Sequence, residues 1–262
     1  MRLFDSHLHL DEESFDVDRA AVVKRAEGQG VALLLTLGTT LESSRRAVAL
    51  SKQFPGVYAA VGVHPNYAAH AAPGDWEEIE RLATEPRVVA IGETGLDLYW
   101  KTVPLDTQRD WFRRQITLAQ RLDKPFSVHC REAEAEVVEE LRRAAATAPL
   151  RGVMHSFAGS AATARSCLSL GMHISFSGMV TYKKSAALRE LLREIPADRI
   201  LVETDAPYLP PQSVRGKRNE PAFVRLTAEA IAAELGQSLE VFSHQTTANA
   251  CRLFGVAIPD TP

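Results

Sequence analysis

The stretch from Val31 to Val63, VALLLTLGTTLESSRRAVALSKQFPGVYAAVGV, sets two short apolar runs on either side of an amphipathic segment. Val31–Leu37 and Val57–Val63, rich in β-branched and apolar residues, read as strands. Leu41–Phe54 between them spaces its apolar residues as a helix does. Strand, helix and strand in this order imply a right-handed βαβ unit and a parallel sheet.

The same alternation extends both ways along the chain. Further strands are predicted at Arg2–Asp5, Val88–Gly92, Pro125–Val128, Gly152–Met154, Met172–Phe176 and Arg199–Val202. Helices are predicted at Asp18–Gln29, Asp75–Thr84, Thr107–Leu122, Glu132–Ala146, Ser160–Leu170 and Ser185–Glu194, then at Pro221–Leu235 and Leu239–Phe254. Gly28 and Gly30, Gly171 and Pro196 supply helix stops. Eight such units in 262 residues predict an α/β fold, a (β/α)₈ TIM barrel filling residues 1–262 as one domain. An open doubly wound sheet is the competing architecture, and its Gly-x-Gly-x-x-Gly fingerprint is absent.

Composition narrows the class of function. Hydrophobic residues at 45% and charged residues at 24% exclude a disordered chain. The apolar runs are too short to cross a bilayer, and Met1-Arg2-Leu3-Phe4-Asp5 opens no secretory leader, so the expectation is a cytoplasmic protein with no membrane partner. Three widely spaced cysteines give neither a disulfide framework nor a Cys-x-x-Cys site. A net charge of −3 excludes a general nucleic-acid coat, so any nucleic-acid role must come from a local site. No obligatory protein partner is evident.

In such a barrel, functional side chains belong at the C-terminal ends of the strands. The ligand-type residues there are His7 and His9 after the first strand, His64 after the third and Glu93 after the fourth. His129, His155 and Asp205 follow the fifth, sixth and eighth. Five of the eight histidines fall at these ends, which scattered core or surface histidines would not do. His7 and His9 are two apart, so on an extended strand both rings face one ion. Four histidines and two carboxylates exceed one tetrahedral ion but suit two ions sharing a carboxylate and a water. Imidazole favours Zn²⁺ or Mn²⁺, and carboxylates admit Mg²⁺.

These residues sit in recognisable words. Asp5-Ser6-His7-Leu8-His9-Leu10, Gly62-Val63-His64-Pro65, Gly92-Glu93-Thr94-Gly95-Leu96-Asp97, His129-Cys130-Arg131, His155-Ser156-Phe157 and Glu203-Thr204-Asp205-Ala206-Pro207-Tyr208 resemble the TatD family of amidohydrolase-type metal-dependent hydrolases. Arg218-Asn219-Glu220-Pro221 and Asn249-Ala250-Cys251-Arg252-Leu253-Phe254 extend the resemblance over almost the whole chain. It implies a barrel with a metal centre and hydrolysis of DNA phosphodiesters. Some relatives remove D-amino acids from mischarged tRNA. By position, His7, His9 and Asp205 would hold one ion, His129 and His155 the second, with Glu93 between. Many amidases and phosphotriesterases of the superfamily use a carboxylated lysine where Glu93 stands, which argues against those branches.

The reading is therefore a deoxyribonuclease, an exonuclease on single-stranded DNA or frayed ends, working through a two-metal-activated water. The alternative is a D-aminoacyl-tRNA deacylase with the same metal site. Asp205 is the candidate general base and Glu93 the second catalytic carboxylate. Glu203, two residues before Asp205, either binds a further ion, orients a ligand or is structural. His64 and Arg131 are placed to meet phosphate, as is Arg218, which with Arg215 and Lys217 crowds the loop after the last strand. Tyr99, Trp100, Phe157, Tyr182 and Tyr208 lie on the same loops as candidates for base stacking. Cys130 and Cys167 read as buried small residues, Asp97 as a loop anchor, and His70, His173 and His244 receive no role.

Overall fold

The computed structural model describes residues 2–258. Among them, eight strands form one sheet in sequence order: β1 (Leu3–Leu8), β2 (Val31–Leu37), β3 (Val57–Val61), β4 (Val88–Asp97), β5 (Phe126–Arg131), β6 (Gly152–Met154), β7 (His173–Phe176) and β8 (Ile200–Val202). Every neighbouring pair from β1·β2 to β7·β8 is parallel. The connecting helices are α1 (Arg19–Gly28), α2 (Leu41–Gln53), α3 (Asp75–Leu82), α4 (Leu105–Arg121), α5 (Glu134–Ala145), α6 (Ala161–Ser169) and α7 (Ala186–Leu192). After β8 come α8 (Val224–Glu234) and α9 (Leu239–Phe254). This is the expected (β/α)₈ barrel.

Two apolar layers hold it. Leu33, Leu35, Ala60, Ala90, Val153 and Leu201 form an inner cluster, and Leu253 and Phe254 of α9 join it with Phe4. The Phe254 and Phe4 rings lie 5.6 Å apart. Outside the strands, Leu34, Val57, Val61, Ile91, Val128 and Val202 pack with Ala47, Ile79, Phe112, Ile116 and Leu141 of the helices. Burying each such side chain is worth roughly 1.5–3 kcal/mol, so the alternation of the strands is under strong selection by energy alone. The period of two also carries the inner rows upward to polar ends. Leu201 leads to Glu203 and Asp205, Val153 to His155, and Ser127 to His129 and Arg131.

Three strands run further than their apolar residues announce. β1 reaches Leu8 rather than Asp5, β4 reaches Asp97 rather than Gly92, and β5 reaches Arg131 rather than Val128. Glu93 and His129 thus stand within strands, which fixes them more tightly than a loop would. In β4 the extension needs Gly95. Its φ is +137°, and a Cβ there would sit 2.0 Å from the His129 carbonyl oxygen. β3 instead stops at Val61, because Gln115 of α4 takes over the pairing of Val63, accepting from its N–H at 2.8 Å and donating to its carbonyl at 2.9 Å.

The seam between β8 and β1 is closed differently from the rest. No ladder joins these two strands among the described residues. The Asp205 N–H donates to the His7 carbonyl at 2.9 Å, and the His9 N–H to the Ala206 carbonyl at 2.8 Å. Below them the buried Asp5 carboxylate accepts from the Thr204 N–H at 2.8 Å and its hydroxyl at 2.5 Å.

Candidate metal centre

Glu93, on β4, faces two groups of imidazoles with its two oxygens. Oε2 lies 3.5 Å from His7 Nε2 and 3.3 Å from His9 Nε2. Oε1 lies 3.0 Å from His129 Nδ1, 3.0 Å from His155 Nε2 and 3.4 Å from His64 Nε2. Asp205 Oδ1 completes the first group, 3.7 Å from His7 Nε2 and 3.5 Å from His9 Nε2, and those two nitrogens are 3.4 Å apart. Bonds of about 2.0–2.1 Å to a tetrahedral ion place its ligand atoms about 3.3–3.4 Å from one another. The His7, His9 and Asp205 atoms have nearly that spacing. His7–His9–Asp205, His7–Glu93–His155 and His64–Glu93–His129 each gather their donor atoms within 4.8 Å. A buried set of imidazoles and carboxylates fits divalent ions.

The outer nitrogen of each ring decides what the inner one offers. His9 Nδ1 meets the Leu37 carbonyl at 3.1 Å, and His155 Nδ1 meets Glu203 Oε1 at 3.3 Å. His129 is turned the other way, its Nε2 3.0 Å from Asp97 Oδ2. A carbonyl or carboxylate only accepts, so each of these outer nitrogens carries the proton, and the neutral ring presents its lone pair inward. His7 Nδ1 contacts the Ser127 hydroxyl at 3.2 Å. His64 is the exception. Its Nδ1 accepts the Asn66 backbone N–H at 3.1 Å, which leaves the proton of the neutral ring on Nε2. His64 is therefore a donor toward the centre and not a lone-pair ligand, even though its position completes one of the triads.

Charge balance within the cluster follows from burial and from these pairs. Burial alone would raise the Glu93 carboxyl, but His155, His64 and His129 hold it well below the usual range. Burial would lower His9, His129 and His155, yet Asp205 and Glu93 hold His9 up, Asp97 and Glu93 hold His129 up, and Glu93 and Glu203 hold His155 up. His7 and His64 stay below the ordinary imidazole value, burial being the leading cause for both. Binding of a cation must displace the protons on the raised rings, so affinity falls as pH falls.

The structure thus brings together His7, His9, His64, Glu93, His129, His155 and Asp205. Against known families, residues 4–255 match the model of the TatD related DNases. This chain belongs to the TatD family of metal-dependent hydrolases. It is 41% identical to the uncharacterized metal-dependent hydrolase YabD of Bacillus subtilis, over 97% of this chain and 99% of the relative. It is 36% identical to a protein of Klebsiella pneumoniae named 3′-5′ ssDNA/RNA exonuclease TatD, over 98% of this chain and 99% of that one. The crystal structure of YjjV, a TatD homologue of Escherichia coli K12, superposes with a TM-score of 0.92 at 28% identity, covering 98% of this chain and 99% of that chain.

Beside this cluster, Glu203 contacts His155 from behind. Its Oε1 accepts from His155 Nδ1 and, at 2.6 Å, from the Ser156 N–H, while its Oε2 is buried without a hydrogen-bond partner. Arg131 stands exposed at the rim with its guanidinium 3.9 Å from the Tyr99 ring and 5.6 Å from that of Trp100. Arg218 is not brought to the cluster as a free cation. It donates to both Asp18 oxygens at 2.9 and 2.8 Å and to the Ser14 carbonyl, and it covers the Phe15 ring. Its fork is already filled by a carboxylate, which removes the phosphate-binding geometry expected from sequence. Phe157, placed among the rim aromatics from sequence, is buried in the outer core.

Asp97 does more than anchor its loop. Its Oδ1 accepts the Tyr99 and Trp100 N–H groups at 2.9 and 3.0 Å, while Oδ2 faces His129 and accepts from Asn66 Nδ2 at 3.1 Å. Sequence reasoning gave no sign of the second task, because His129 and Asp97 meet only through the β4·β5 register. Asp97→Ala is expected to weaken metal binding by roughly 10–100-fold, the usual cost of losing the partner of a ligating histidine. Calorimetric titration with Zn²⁺ or Mn²⁺ would measure it, and unchanged affinity would limit Asp97 to the loop.

Proposed function

We propose that this TatD-family hydrolase is an exonuclease that cleaves terminal phosphodiester bonds of single-stranded DNA, with two divalent ions at the barrel mouth. His7, His9 and Asp205 would hold one ion, His129 and His155 the other, with Glu93 shared. The observation that carries this reading is the division of Glu93, one oxygen toward His7 and His9 and the other toward His129 and His155. The named exonuclease activity of the Klebsiella pneumoniae relative supports the choice of substrate.

Zn²⁺, Mn²⁺ or Mg²⁺ bound there would depress the pKa of water and offset the charge that builds on the phosphoryl oxygens. The residues supply the remainder. Asp205 keeps 12% of its side chain exposed against 3% for Glu93, so Asp205 is the carboxylate that reaches solvent water and accepts its proton. Glu93, sealed among imidazoles, holds position. His64 Nε2–H donates to a non-bridging phosphoryl oxygen, and Arg131 forks onto a neighbouring phosphate.

Purified enzyme should be given single-stranded oligonucleotides labelled at the 5′ or the 3′ end, with each metal in turn. Stepwise release of mononucleotides from one end, slowed by a blunt duplex, is the expected result. Intact oligonucleotides with every metal, alongside deacylation of D-aminoacyl-tRNA, would replace this reading with ester hydrolysis.

A further inference from the structure

Two arginines stand apart from the rest. Among the described residues after Arg2, side-chain hydrogen bonds or ion pairs occupy the other arginines, whereas the guanidinia of Arg131 and Arg215 have neither and lie over tyrosine rings. Arg215, in the loop after β8, lies 4.8 Å from the centre of the Tyr182 ring in the loop after β7. That ring is firmly seated. The Tyr182 hydroxyl donates to the Pro210 carbonyl at 3.1 Å, its N–H to the Met179 carbonyl at 3.1 Å, and its own carbonyl accepts from Arg189 at 2.8 Å. The two loops press together at Gly178, where a Cβ would lie 2.4 Å from the Leu209 carbonyl oxygen, and the Gln212 N–H donates to the Thr181 hydroxyl at 2.7 Å.

An exposed guanidinium on a fixed aromatic ring keeps its donors pointed outward and loses little freedom on binding. Arg131, the last residue of β5, offers the same arrangement over Tyr99 of the loop after β4, three strands away round the ring. We propose that Arg215 on Tyr182 is a second backbone-phosphate subsite, which holds the single strand beyond the nucleotides gripped at Arg131 and the metal centre. It rests on the exonuclease reading above. The expected consequence is length discrimination: a strand that runs round the mouth from Arg131 to Arg215, three strands away, gains a contact that the shortest strands lack.

The test compares the metal-loaded wild type with Arg215→Ala, using fluorescent phosphorothioate oligothymidylates from two to ten residues in length. Fluorescence anisotropy gives affinity and its salt dependence. Arg215→Ala is expected to bind the long strands roughly three- to tenfold more weakly, with the dinucleotide unaffected. The salt slope for long strands should fall by about 0.7, the share of one single-strand phosphate contact. On cleavable strands KM should rise with kcat unchanged. Arg131→Ala should weaken binding at every length, the dinucleotide included. If the wild type binds and cleaves oligonucleotides while Arg215→Ala matches it at all lengths, the second subsite is overturned and the exonuclease reading stands. If the wild type neither binds nor cleaves any strand, both fall together.

Discussion

Glu93→Gln is expected to reduce turnover by at least roughly 10³-fold, more than the loss of one preorganised electrostatic contact, because in the proposed two-ion centre a single carboxylate would serve both halves. Glutamine keeps the size but gives up the charge, and it turns an amide donor toward ring nitrogens that now face an acceptor. The metal-free protein offers a second reading of the same change. Glu93 helps to hold His9, His129 and His155 above their ordinary range against burial. A raised folded-state pKa contributes stability below about 6.5, and that contribution is lost as pH rises through the folded value. Metal-free wild type should therefore exceed Glu93→Gln in denaturant midpoint below about pH 6.5 and lose the advantage progressively as pH rises above it. Full activity with both ions bound in the variant would remove Glu93 from its shared position.

Asp205→Asn should lower kcat by roughly 10²–10⁴-fold even at saturating metal, the usual contribution of a positioned general base. Asparagine retains one oxygen that still faces His7 and His9 but accepts no proton. The depressed Asp205 carboxyl, lowered by His9, His155 and His7 against its burial, stays ionised through the neutral range in the wild type. Activity should be followed across a metal titration with occupancy measured in parallel. Complete rescue by excess metal would leave Asp205 as a ligand only, while a defect that persists with both sites filled separates the two duties.

Much of this centre was legible from residue type and position alone. His7, His9, His129, His155 and Asp205 could be placed because a barrel concentrates function at one end of its strands. What stayed hidden was set by register and by distant partners. Glu93-Thr94-Gly95 reads as a strand end, since charged residues and glycine are poor in strands. The chain nevertheless continues, because Thr94–Asp97 pairs with Val128–Arg131. The rings that look alike in sequence differ in their outer contacts, so only coordinates separate His64, which turns an N–H toward the centre, from His129, which turns a lone pair there. Arg215 and Arg218 stand three residues apart and look interchangeable in the sequence. Asp18, 200 residues away, claims one and leaves the other exposed.

The closure of the barrel has a mechanical side. Among the described residues its staves are joined by backbone ladders at every seam except that between the last and the first, where a few single bonds and the Asp5 carboxylate span the gap. His7 and His9 belong to one stave and Asp205 follows the other. A cation shared by the three would act as a hoop across the joint with the fewest fastenings of its own. Loading the centre would then do two things at once, arming the chemistry and tightening the vessel that holds it. Stripping it would loosen the wall at the spot where Asp205, the proposed base, must stand still.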